Sequence, residues 1–181
     1  MISRRKFIQL SMMLGSSSLL SGFSAKASNL TVQNHWFMPE ESDQHERTWM
    51  SFIASYDIWE AKQVPEVQRN LASIAKAIAK YEPLSLLVRK QDVHLAKKLL
   101  AGLGSHNFPI ELIEFNMNDL WMRDTGPTFV INAKGQKAAV NFNFNGWGED
   151  QAYELDAKVA DFVAQQAQVK IIKSSLILEG G

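Results

Sequence analysis

VPEVQRNLASIAKAIAKYEPLSLLV, residues 64–88, holds a helix and a strand in tandem. Pro65 opens a segment whose apolar residues fall at Val67, Leu71, Ile74, Ile78 and Tyr81. Steps of three and four place them on one stripe, with Arg69, Lys76 and Lys80 off it, which predicts an amphipathic helix over 66–81. Pro83 stops it. Leu84-Ser85-Leu86-Leu87-Val88 then reads as a buried strand. Downstream, Asp92 is placed to cap a second helix that runs through Leu100 and ends at Gly102. Ile110 to Phe115 and Pro127 to Asn132 read as strands. Ala133-Lys134-Gly135-Gln136 turns the chain into Lys137 to Phe144, an antiparallel hairpin with glycine in the turn. Tyr153 to Gln165 returns to helix, with Leu155, Val159 and Phe162/Val163 inward. Val169 to Ile172 and Leu176 to Leu178 read as closing strands. The cycle of strand, strand, helix and strand argues an α/β fold. It is a supersecondary repeat without sequence identity between copies, and the end at Glu179-Gly180-Gly181, directly after a strand, reads as cut.

The whole-chain properties narrow the function. The 181 residues suffice for one domain with a real core, or for part of a larger one. Nineteen lysines and arginines balance nineteen aspartates and glutamates, so no basic excess points to nucleic acid. The chain has no cysteine, which excludes a disulfide framework, a thiolate metal site and a cysteine nucleophile within these residues.

The first residues read as an address. Ser3-Arg4-Arg5-Lys6-Phe7-Ile8 sets two arginines before an apolar run from Ile8 to Phe23, and Ala25-Lys26-Ala27 is a small-x-small cleavage site. This is the pattern of a twin-arginine export signal over residues 1–27, leaving 28–181 as the mature part. The run is broken by serines and Gly15 and is short for spanning a bilayer, which argues against a stable membrane anchor. The expected partner is the twin-arginine export machinery, and the expected location is the periplasm or beyond.

The chemistry gathers at NDLWMRDTGPTFV, residues 118–130, where Asp119, Arg123 and Asp124 sit among Leu120, Trp121 and Met122. Charges beside apolar surface are costly unless paired or given something to bind. Asp124-Thr125-Gly126 matches the aspartic-protease triplet, but that chemistry needs two such carboxylates and the chain has no second copy. His35, His45, His94 and His106 lack ligand spacing, so no metal and no cofactor is expected. His45-Glu46 reads as a local ion pair. What remains is a trap for a cation. Asp119, Asp124 and Glu179 supply carboxylates, and Trp121 and Trp147 supply aromatic faces. Asn143, Asn145 and Gly146 form a polar turn before Trp147. A guanidinium suits this set, because its fork of N–H donors matches carboxylate oxygens. The bland alternative is that Arg123 and Asp124 form a structural salt bridge and that the tryptophans are core.

NDLWMRDTGPTFV, FNFNGWG and LILEGG together resemble the agmatine deiminase family, in the guanidine-modifying superfamily that includes the bacterial-type peptidylarginine deiminases. Met38-Pro39-Glu40-Glu41, His45 to Met50 and YELDAKVA extend the resemblance over essentially all of 28–181. It implies a five-bladed α/β propeller (pentein) of strand-strand-helix-strand blades, of which these residues would supply part. It implies that Asp124 grips the substrate guanidinium and that Glu179 also contacts it. Asp119 and Trp121 would line the site near the far amine, Arg123 would orient Asp124, and Asn145 and Trp147 would shape the pocket. In the family a histidine and an aspartate follow the Glu-Gly-Gly, and a nucleophilic cysteine lies near the C-terminus. None of these three is present here.

The implied reaction converts agmatine and water to N-carbamoylputrescine and ammonia, a step of putrescine biosynthesis. A thiolate attacks the guanidinium carbon, ammonia leaves, and water hydrolyses the amidino-enzyme. These residues alone are expected to be inactive. The competing class is a non-catalytic guanidine- or polyamine-binding remnant, and peptidyl-arginine competes with agmatine as substrate. Ser42 and Gln44 stand where the family has Trp and Pro, and Phe52-Ile53-Ala54 replaces the more usual Trp-Pro. Oligomeric state is left open, a homo-oligomer included.

Overall fold

The computed structural model describes residues 35–102, 104 and 106–178. The export signal, the boundary at residue 27 and Glu179 lie outside them. Strands β1 (Trp36–Phe37) and β2 (Thr48–Ser51) precede helix α1 (Val64–Ile78) and β3 (Leu84–Val88). A 3-10 turn leads into α2 (Val93–Ala101) and β4 (Ile110–Glu114). The single-turn helix α3 (Met122–Thr125) leads to β5 (Thr128–Asn132) and β6 (Lys137–Asn141). A second 3-10 turn, Asp156–Lys158, opens α4 (Val159–Gln166), and β7 (Lys170–Lys173) follows.

Two sheets result, and the architecture is mixed α/β. One is three-stranded and wholly parallel, in the order β2-β3-β4. The other runs β1-β5-β6-β7, antiparallel at β1-β5 and β5-β6 and parallel at β6-β7. Within one sheet the expected cycle is therefore met once: β5, β6, α4 and β7 are strand, strand, helix and strand, whereas β1, β2, α1 and β3 have that order but are split between the two sheets. From β2 to β4 strand and helix alternate instead, because parallel neighbours need a crossover between them.

The central strand β3 is buried along its whole length. Leu84, Leu86 and Val88 face one core with Phe52, Leu71, Ala72, Ala75 and Ala96 from the helix side. Leu87 faces the other core, with Ile53, Met117, Val159 and Val163. Alternate residues point to opposite faces, so a strand with apolar residues on both must be covered twice. Phe115 and Phe162 close the second core as a stacked pair with centroids 4.1 Å apart.

Several sequence readings are corrected. Helix α1 ends at Ile78, three residues early, and Ile74 and Tyr81 are exposed at 49% and 80%. Its buried side is Val64, Gln68, Leu71, Ala72 and Ala75, and Lys76 joins it by donating from Nζ to the Gly104 carbonyl. Small alanines let the helix sit close to the sheet, which rotates the larger Ile74 outward. Asp92 precedes α2 but its side chain does not cap it; Arg89 Nε donates to its Oδ2 at 2.6 Å. Gly102 ends α2 with an ordinary helical φ of −74°. Leu155 is exposed, and the helix expected from Tyr153 begins as the 3-10 turn at Asp156. Leu176 to Leu178 is not a strand: its side chains are exposed, and its backbone is tied by the Leu178 N–H to the Phe142 carbonyl at 3.2 Å. His45 pairs with Glu82, not Glu46, and Glu46 pairs with Lys137, because the fold brings more distant charges closer than the neighbour in sequence.

Candidate functional site

The residues 118–125 cross from the parallel sheet to the mixed one, and the fold uses this crossing to set several polar groups in register. Asn118 and Asp156 lock it first. The Asn118 Oδ1 accepts from the backbone N–H groups of Leu155 at 3.0 Å and Asp156 at 3.3 Å. In return Asp156 Oδ1 accepts from the Asn118 N–H at 2.7 Å. Burial pushes the Asp156 carboxyl up to about 6, against the backbone donors of Asn118 and Asp119 that pull it down, and the neighbouring Asp119 charge adds to the rise.

Asp119 follows, 1% exposed. Its two oxygens are divided between two indoles: Trp59 Nε1 donates to Oδ1 at 3.0 Å and Trp121 Nε1 to Oδ2 at 2.7 Å. An indole N–H can only donate and an ionised carboxylate can only accept, so the match is chemically complete. Burial raises the Asp119 carboxyl above its ordinary range, opposed by the Trp59, Leu120 and Trp121 donors and by the charge of Arg89.

Trp121, 39% exposed, turns its ring at 90° to Trp147, centroids 6.1 Å apart. Trp147 also meets Phe144 edge-on at 5.0 Å. Its Nε1 donates to Asp124 Oδ1 at 3.2 Å. Trp147 itself sits in an unusual turn. Gly146, Trp147, Gly148 and Glu149 have φ values of 69°, 56°, 83° and 67°, one left-handed turn of backbone. Left-handed φ costs an L-residue about 1–2 kcal/mol, so Trp147 and Glu149 are held there by their surroundings. The Asn145 side chain supplies part of the hold, accepting from the Gly148 N–H at 3.0 Å. Gly146 supplies another part, since a Cβ there would lie 2.6 Å from the Gln151 carbonyl oxygen.

Asp124 is half-buried on α3, in the wall of a cleft of ≈ 620 Å³ that it shares with Glu41, Arg123, Phe129, Phe142 and Phe144. Arg123 Nη1 donates to Glu41 Oε1 at 2.8 Å, so among the described residues its ion-pair partner is Glu41 and not the adjacent Asp124. The alternative reading, an Arg123–Asp124 salt bridge, is not the pairing found: consecutive side chains on one helical turn point in different directions. The structure thus brings Asp119, Trp121, Asp124, Asn145 and Trp147 into one connected group and places Arg123 beside it. Trp59, unremarked in the sequence, belongs to the same group. The signal for it was a tryptophan in the polar stretch Ser55–Gln63, whose N–H requires a partner once the ring packs.

The Porphyromonas-type peptidyl-arginine deiminase family matches residues 37–181. The chain belongs to that family. A Legionella pneumophila relative named "Putative agmatine deiminase" is 37% identical over 82% of this chain and 42% of its own length. A Streptomyces coelicolor relative of the same name is 37% identical over 80% of this chain and 42% of its own. Among solved structures, one described as agmatine deiminase of Enterococcus faecalis catalyzing its reaction superposes with a TM-score of 0.70 at 30% identity. That match covers 81% of this chain and 40% of the other. The chain spans about two fifths of the length of these relatives.

Proposed function

We propose that this chain is the guanidinium-gripping part of a deiminase acting on agmatine. Asp124 carries the reading. It is a carboxylate in a cleft wall, with one oxygen held by an indole N–H and its neighbouring arginine engaged elsewhere. Such a carboxylate offers acceptor positions to the fork of a guanidinium. Trp121 and Trp147 present aromatic surface to a cation, Asn145 shapes the turn, and Asp119 orders the indoles near the far amine. Glu179 is assigned a second contact to the guanidinium. The chemistry, agmatine and water to N-carbamoylputrescine and ammonia, serves putrescine formation and needs a thiolate that these residues do not contain. They bind and orient; they do not turn over. The fold that suits this role is a five-bladed propeller of which residues 28–181 form part, delivered to the periplasm by the twin-arginine signal at 1–27. Replacing Arg4 and Arg5 by lysine is then expected to retain the protein in the cytoplasm, which fractionation of the cells reads directly.

Calorimetry of the chain against agmatine, putrescine and a peptidyl-arginine tests the ligand. Agmatine is expected to bind at least about tenfold more tightly than putrescine, which has the same aliphatic spacer and lacks the guanidinium, as loss of a charge-assisted pair requires. Equal affinity for the two would remove the guanidinium grip, and preference for the peptide would move the substrate to peptidyl-arginine.

A further inference from the structure

We propose that Trp59 is a positioning residue for the Asp124 carboxylate, acting through Asp119, Trp121 and Trp147. The proposal rests on the guanidinium reading of Asp124 given above, and extends it to a residue 65 positions earlier in the chain. Four contacts connect the two ends. Trp59 donates to one oxygen of Asp119, and Trp121 donates to the other. Trp121 abuts Trp147 edge to face, and Trp147 donates to Asp124.

Each link constrains the next. A buried carboxylate with its oxygens divided between two fixed donors has little freedom to rotate, so Trp59 sets the angle at which Asp119 meets Trp121. Remove the Trp59 N–H and one oxygen of a nearly inaccessible carboxylate loses a bond that solvent is poorly placed to replace. The carboxylate then turns, and Trp121 follows it. Edge-to-face contact is directional, and Trp147 meets Trp121 while held in a left-handed backbone conformation that its surroundings must sustain. A shift of Trp121 therefore reaches Trp147, and through its N–H the oxygen of Asp124.

The competing view is that Trp59 only satisfies its own N–H on a convenient acceptor. The two differ in what happens at Trp147. Indole N–H resonances of the ¹⁵N-labelled chain separate them, since its five tryptophans give five such signals. Trp59→Phe keeps a ring and deletes the N–H. It is expected to move the signals of both Trp121 and Trp147, and to weaken agmatine binding about five- to tenfold. Asp119→Asn is expected to move the same two signals. A Trp147 signal unchanged in both variants, with Trp121 alone displaced, would overturn the proposal. If the variants do not fold, the parent chain still decides: by reciprocity agmatine at saturation moves the Trp59 signal, and a stationary Trp59 signal overturns the coupling. A parent chain that fails to bind agmatine while Trp59→Phe still displaces Trp147 would retain the positioning path and remove the guanidinium reading instead.

Discussion

At the scale of single residues, two carboxylates five positions apart do different work. Asp119 is enclosed and spends both oxygens on indoles. Asp124 spends one oxygen on Trp147 and faces a cleft. Reading the sequence placed both near a cation, and the structure puts Asp124 in the wall of a cleft. For Asp119 the partner that fixes its environment lies sixty residues earlier, at Trp59, and no local pattern could supply it. The indole bond to Asp124 should be measurable by itself. Trp147→Phe keeps the aromatic contacts with Trp121 and Phe144 but deletes the donor, and is expected to weaken agmatine binding about three- to tenfold, less than the full worth of one hydrogen bond to a charged group because the indole acts on the ligand only through Asp124. Calorimetry reads it, and unchanged affinity would show that Asp124 holds its place without the indole.

Among the elements, those that the sequence announced clearly are the ones whose physics is local or symmetric. Strand β3 has the bounds read from its sequence, because burial on both faces leaves no exposed position to blur them, and its one polar side chain, Ser85, is buried as well. The β5-β6 hairpin forms around Gly135 at a φ of 73° as its turn residues imply. By contrast, β1 and β2 are two and four residues long, too short for periodicity to declare, and exist through their partners β5 and β3. The left-handed turn at 146–149 was legible only as a polar, flexible stretch, since its strain is sustained by tertiary contacts. Gly146→Ala is expected to destabilise the fold by about 1–3 kcal/mol, through its left-handed φ and the clash with the Gln151 carbonyl. Chemical denaturation checks it, and an unaltered midpoint would mean that the turn relaxes at no cost.

The Asn118–Asp156 lock between elements carries a pH signature. The Asp156 carboxyl stands at about 6 in the folded chain against an ordinary 3.8. The folded state therefore holds this proton more tightly than the unfolded state, and the associated stability is full below about 3.8 and lost as pH rises through about 6. Asp156→Asn never ionises. Its melting temperature relative to the parent is expected to rise between about pH 4 and about pH 7. A difference independent of pH would assign the carboxyl an ordinary value.

For the molecule as a whole, family membership and a match that covers about two fifths of its relatives' length frame the activity. Without a cysteine the 181 residues are expected to yield no ureido product from agmatine, and a colorimetric assay that detected it would refute the thiolate requirement. A reading frame that continued past codon 181 into Ser-x-His-x-Asp and a later cysteine would supply the missing chemistry. The central claim is that Asp124 grips a guanidinium, and Asp124→Asn tests it most directly, with agmatine affinity and melting temperature measured on the same preparation. The substitution keeps the shape, removes the charge and turns one acceptor into a donor facing a donor. Affinity is expected to fall at least about tenfold, from a charge-assisted bond worth roughly 1.5–3 kcal/mol, while the melting temperature stays near that of the parent. A lowered melting temperature with agmatine affinity intact would make Asp124 a structural residue and contradict the account.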